Sequence, residues 1–439
     1  MIGHLRLRIN SFESGIMPTA ISWSARARRA MALLIAMAPL GASADFQGAM
    51  HLMPFEEDTI GYSKATDDAS AIARLQQRID KGETTLKFDK DLGYLPALMD
   101  ELKIPRSSQM LVGSKTSFQR ERISPETPRA LFFNDDVYIG FIPGSPLMEV
   151  SVADPKLGGV FYTLDQVKKD KPRFVRNDQC LECHASAKTM GVPGHLVRSF
   201  DTDENGVVDL SSGTSLVNHR TPLADRWGGF YVTGTSGQQV HRGNAFGKDA
   251  PKTSNNVTNL DGFFDVSQYP ASHSDIVALM VLEHQLHMHN FITRMNYSAT
   301  LALKQYGHLN YLKSATEAFV KYLLFTEETP LTDAIAGNGG FQEWFAAQGP
   351  KDKKGRSLRE FDLKTRLFKY PCSYLIYSEA FDSLPEALKT KLYDRLWEIL
   401  TGRDTSSDFE SLSPETRQAI LQILVETKTG LPNNWKAAM

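Results

Sequence analysis

Five consecutive residues, Cys180-Leu181-Glu182-Cys183-His184, constrain what this chain can fold into more than any other stretch. Two thiols at this spacing can each close a thioether with one of the two vinyl groups on the same edge of a porphyrin. The next residue is then carried under the ring, where the imidazole of His184 can bind iron as proximal ligand. The C-x-x-C-H spacing therefore reads as the attachment site of one covalent haem c, held by Cys180, Cys183 and His184. Cysteine is scarce, three residues in 439, which makes the pentad hard to assign to chance. A dithiol redox site would close a strand and open a helix in a βαβ context, and the polar run 171–179 is not a buried parallel strand. A zinc site would need a second close-spaced pair, whereas Cys372 stands alone far along the chain. Both alternatives stay open and neither is favoured.

The N-terminus agrees with the motif. Arg26, Arg28 and Arg29 precede an apolar run over 31–40, and Ala42-Ser43-Ala44 supplies an A-x-A cleavage site. Residues 1–44 read as a signal peptide cleaved after Ala44, leaving a periplasmic chain that begins at Asp45. The basic segment is long, so Met17 is an alternative start. In bacteria, c-type haem is attached outside the cytoplasmic membrane to an unfolded chain, which suits export. No second apolar stretch has the length of a spanning helix, so no stable membrane insertion is expected. With 49 basic and 51 acidic residues the charge is balanced, and no nucleic-acid partner is expected. Two of the three cysteines sit in one motif, which excludes a disulfide framework; Cys372 reads as a small buried apolar residue.

Hydrophobic patterning predicts an α+β chain, with a mixed haem-attachment region over 45–270 and a helical region over 271–439. Thr66-Asp67-Asp68 offers an N-cap for a helix through Ile72, Leu75 and Ile79, and a second helix fits 95–102. Between 110 and 164, short β-branched and aromatic runs punctuated by Gly, Pro, Asn and Asp predict an antiparallel meander that walls the haem site. Residues 178–270 are loop-rich. There Asn205-Gly206 reads as a hairpin turn between 196–200 and 207–210. It begins like a calcium loop, yet position twelve is Ser212 and no helices flank it. From Ser274-Asp275 onward the period is helical: a long helix ends near Gly307, and others fit 309–325, 340–347, 358–367, 385–402 and 414–429.

Candidates for the far side of the iron are His195, His219, His241 and the histidines of the long helix, with Met190 as a thioether alternative. His195 and His241 are preferred at or near the sixth position. Arg226 and Trp227, in an aromatic, glycine-rich run over 226–234, are expected in the haem wall. Arg198, Arg220, Arg226 and Arg242 are candidate propionate partners, because a guanidinium matches a carboxylate fork. On the long helix, Glu283 and His287 are four apart and can hydrogen-bond, and His284 with His287 could share a metal.

The pentad and the export signal resemble c-type cytochromes as a class. More loosely, Gly194-His195-Leu196-Val197-Arg198-Ser199, the 226–234 run and the 370–381 segment resemble large exported bacterial proteins with a single C-x-x-C-H. The resemblance implies haem binding and electron transfer to a redox partner protein, nothing sharper. Small cytochrome c domains are helical with the motif near the start, so their distal methionine has no counterpart position here. The first functional expectation is a monohaem electron-transfer protein. The alternative is a periplasmic haem oxidoreductase or peroxidase-like enzyme acting on a small molecule, which the length of the chain favours.

Overall fold

The computed structural model describes residues 52–65, 70–247 and 256–438. The expected signal peptide and cleavage site, and the N-cap expected at Thr66-Asp67-Asp68, lie outside these residues. Residues 46–439 belong to one compact unit, in which a strand-rich stretch precedes a mainly helical one, so the fold is α+β.

Helix α1 (Ala71–Lys81) is capped by Ser70, whose hydroxyl accepts from the Ala73 N–H, and it buries Ile72, Leu75 and Ile79. Helix α2 (Leu95–Leu102) matches its expected span. The meander follows as β1 (Met110–Val112), β2 (Arg129–Phe133), β3 (Val137–Phe141), β4 (Leu147–Asp154), β5 (Gly158–Asp165) and β6 (Phe174–Arg176). With β9 (Phe230–Tyr231) they form one sheet in the order β6-β5-β4-β3-β2-β1-β9. Every pairing in it is antiparallel. Asn134, Asp135 and Asp136 join β2 to β3.

Because side chains alternate along a strand, the register sorts the sheet into two faces. One bears Leu111, Phe132, Ile139, Val150, Val160 and Leu164 and packs on α1 and α2 in a continuous core. The other bears Met110, Phe133 and Tyr138, which pack with the long helix α4 (Ile276–Tyr306). Farther along this second face, Leu131, Glu149, Ser151 and Thr163 are only half-buried, and Val175 is 60% exposed. Helix α4 thus covers one end of the face, and the C-x-x-C-H segment stands at the other.

Helix α4 is buried nearly all round, with Glu283, His284, Gln285, His289 and Asn290 inside it. Asp275 caps its start through the N–H groups of Val277 and Ala278, and Gly307 ends it at φ 71°. The helices that follow are α5 (Lys313–Leu323), α6 (Phe341–Ala347), α7 (Glu379–Asp382), α8 (Glu386–Leu400) and α9 (Pro414–Thr427). Two expectations are corrected. Residues 358–367 form no helix: Asp362 Oδ1 accepts from the N–H groups of Lys364, Thr365 and Arg366, a local turn that competes with helix. The hairpin after residue 196 also pairs differently. Strand β7 (Val197–Phe200) takes β8 (Thr214–Val217) as partner, while 207–210 contributes only the bridge from Val208 to Thr202.

Candidate haem-attachment site

The motif is held at the edge of the sheet by the end of β6. The Asn177 N–H donates to Phe161 O at 2.9 Å, and the Asn177 side chain accepts from the Gln179 N–H at 3.2 Å. That cap opens a 3₁₀ turn (Asp178–Cys180) that runs into the short helix α3 (Leu181–His184). Residues three apart on a helical turn share a face, so Cys180 and Cys183 are presented together, one half-buried and one exposed, both as free thiols. Burial and the nearby Glu149 carboxylate push the Cys180 thiol up to about 11. A reactive redox dithiol is made by the opposite shift and by a βαβ setting; here the preceding strand is an antiparallel edge.

His184 is half-buried, and its Nδ1 lies 2.9 Å from Gly194 O. A carbonyl only accepts, so Nδ1 carries the proton and the Nε2 lone pair remains for a metal. Burial lowers the imidazole pKa below its ordinary value, which favours this neutral form. The Phe161 ring on β5 backs the imidazole, with centroids 4.8 Å apart. Gly194 is demanded by space: a Cβ there would sit 2.0 Å from Asn290 Oδ1. Its neighbour Pro193 accepts from the Gly159 N–H at 2.8 Å, which ties the 191–195 turn to the start of β5.

His195 is brought beside the motif, its ring centroid 6.1 Å from that of His184. Its backbone is clamped on both sides by Asn290 of α4, with bonds of 3.0 Å and 2.6 Å. Its Nε2 lies 2.8 Å from Ser151 Oγ, and Tyr138 and Phe161 pack on the ring. Since His195 follows the carbonyl that holds His184 Nδ1, its backbone stands on the Nδ1 side of that ring rather than the Nε2 side. His195 thus stands beside His184 with its Nε2 directed to Ser151 Oγ.

The other expected residues form a second group nearer the start of α4, around Glu283. Arg226 is ion-paired with Glu283 and donates to the carbonyls of Thr221 and His219, so its guanidinium is committed. Trp227 Nε1–H donates to Glu283 Oε2 at 3.1 Å, and the His241 ring packs edge-on against the indole at 5.3 Å. His219 and His284 meet Nδ1 to Nδ1 at 3.0 Å under Tyr322 and Phe325, and His284 Nε2 reaches Ser373 Oγ at 2.8 Å. Burial pushes Glu283 up to about 7 against the pull of Arg226. Arg226, Trp227 and His241 are thus buried in the core around Glu283, with Trp227 between the carboxylate and the His241 ring. Glu283 bonds to Arg226 and Trp227 in place of His287. No group of three or more His, Cys, Asp or Glu side chains suited to a metal ion occurs among the described residues.

Three residues that the sequence left unmarked bear on the motif: Phe161 packs on His184, and Glu149 and Arg129 lie within electrostatic reach of it. Only strand register could have found them, through alternation on β2, β4 and β5. Arg198, one of the four candidate propionate partners, lies within electrostatic reach of Cys183 and stacks over Phe200 at 4.3 Å. Two adjacent thiols, one oriented neutral imidazole and an aromatic backing form a donor set that fits a covalently held haem. No helix among the described residues is long and apolar enough to cross a membrane. Comparison with family models, curated proteins and solved structures found no match.

Proposed function

We propose that the protein is an exported monohaem c-type cytochrome that holds haem covalently through Cys180 and Cys183 and transfers electrons. The observation that carries this reading is the His184 Nδ1 to Gly194 O hydrogen bond directly behind a helical C-x-x-C turn with accessible thiols. It sets the tautomer a proximal ligand requires before any metal arrives. When bound, haem supplies one-electron redox chemistry. The chain supplies attachment at Cys180 and Cys183, orientation of His184 by Gly194, and a rigid backing from Phe161 and His195. A redox partner protein is expected to meet the exposed Cys183 edge.

The test is expression in a host that matures c-type haem, followed by extraction with acidified organic solvent. Colour retained by the protein supports the proposal, and colour passing into the solvent refutes covalent attachment. The reduced visible spectrum of the same material separates carrier from enzyme. A low-spin six-coordinate spectrum fits the carrier, and a high-spin five-coordinate one assigns the protein to the oxidoreductase class.

A further inference from the structure

We infer that the haem seat is the half-open end of the second sheet face, the row Leu131, Gly140, Glu149 and Thr163, with Arg129 as charged partner of a haem propionate. This inference rests on the haem reading above. Backbone register puts these residues side by side: Leu131 opposite Gly140, Gly140 opposite Glu149, and Glu149 opposite Thr163. At a strand spacing of about 4.8 Å, three steps span roughly 14 Å, enough to back a porphyrin. The row runs beside Phe161, which already touches His184. Cys180 lies within electrostatic reach of Glu149, and His184 within reach of both Glu149 and Arg129.

The middle of the row is low because Gly140 has no side chain, and the side chains nearest to it are those of Arg129 and Glu149. Arg129 Nη1 donates to Glu149 Oε2 at 3.1 Å, and Glu149 Oε1 accepts from Ser117 Oγ and Gln119 Nε2, both at 3.2 Å. The carboxylate is thus supported by three side chains, whereas Arg129 Nε is buried with no hydrogen-bond partner among the described residues. A buried donor without an acceptor is a cost that an incoming carboxylate relieves.

The four arginines named from the sequence stand elsewhere, and three of them are, like Arg129, held by a carboxylate. Arg220 pairs with Glu327 at 2.8 Å, Arg242 with Asp201, and Arg226 with Glu283. Arg198 lies near Cys183, and a haem carries its propionates on the edge opposite the vinyl groups that the cysteines take. Arg129 stands on β2, several strands away from the β6 edge that leads into the motif.

The test uses the matured full chain and measures haem midpoint potential and visible spectrum. Arg129→Gln is expected to lower the potential, because removing a cation beside the haem disfavours the ferrous state, with Arg129→Lys restoring most of the shift. Glu149→Gln is expected to shift it upward. Gly140→Leu is expected to move the Soret and visible bands. A Cβ at Gly140 meets Glu149 and Arg129 at 3.5–3.6 Å, ordinary contact, and far-UV circular dichroism together with Gly140→Ala checks that the sheet stays intact under the larger side chain. Arg356→Gln, at an ion pair with Asp352 in the helical region, serves as control and is expected to match the parent. Coloured parent protein whose Arg129, Glu149 and Gly140 variants all keep its potential and spectrum overturns the seat while leaving haem attachment standing. A colourless parent overturns the haem reading itself.

Discussion

Gly194 is the residue through which backbone geometry becomes site chemistry. Its carbonyl fixes the His184 tautomer, its absent Cβ admits Asn290, and that asparagine in turn clamps His195. Gly194→Ala would place a methyl group 2.0 Å from Asn290 Oδ1 and is expected to cost ~1–3 kcal/mol by overpacking, read by urea denaturation. In haem-loaded protein the same change is expected to shift the Soret band, because the proximal imidazole loses its hold. An unaltered midpoint and spectrum would mean that the turn does not position His184. The sequence marked Cys180, Cys183 and His184 because bond lengths dictate their spacing. It marked His195 through its turn glycines. It could not separate Arg226, Trp227 and His241 from the haem, because an aromatic, arginine-rich run looks alike whether it lines a cofactor or a protein core. In the structure Arg226 is buried against Glu283.

At the scale of elements, α4 holds the molecule together by facing two polar environments. Gln285 and His289 bond to the 134–138 segment and Asn290 to His195, while Glu283 and His284 bond to the 219–227 loop and Ser373. Glu283→Ala leaves Arg226 buried without its carboxylate and is expected to cost about 3–5 kcal/mol in chemical denaturation. A loss below about 1 kcal/mol, the range of exposed pairs, would contradict a buried ion pair there. The bounds of α4 were legible because Asp275 and Gly307 punctuate it, and the meander was legible because its turns carry Asn, Asp, Pro and Gly. The false helix over 358–367 has a local cause, since Asp362 offers the backbone a competing turn. The true partner of β7 was hidden because Asn205-Gly206 makes a turn without a full hairpin. Register across β2 to β5, which exposes Arg129 and Glu149 to the motif, is a long-range property that no local pattern encodes.

Across the whole molecule, histidines buried in neutral form tie stability to pH. Burial lowers His241 to about 4 and pushes His195, His219 and His284 well below the ordinary imidazole value. A depressed histidine leaves the folded state neutral while the unfolded chain takes up protons below pH ~6.5, so stability is full above that value and declines below it. For His241 the decline runs from about 6.5 down to about 4, with a limiting slope near ~1.4 kcal/mol per pH unit. His241→Gln is expected to flatten part of the fall in melting temperature across that window. A variant whose pH profile parallels the parent's would show that His241 is not held neutral by the fold.

The central claim, that this fold presents a covalent haem, is tested most directly by mass spectrometry of the proteolytic peptide that contains Cys180-Leu181-Glu182-Cys183-His184, taken from exported protein. One haem on that peptide, lost in the Cys180→Ala, Cys183→Ala double variant, is the predicted result. The same peptide recovered with two unmodified thiols, from a host shown to mature other c-type haem proteins, would contradict it.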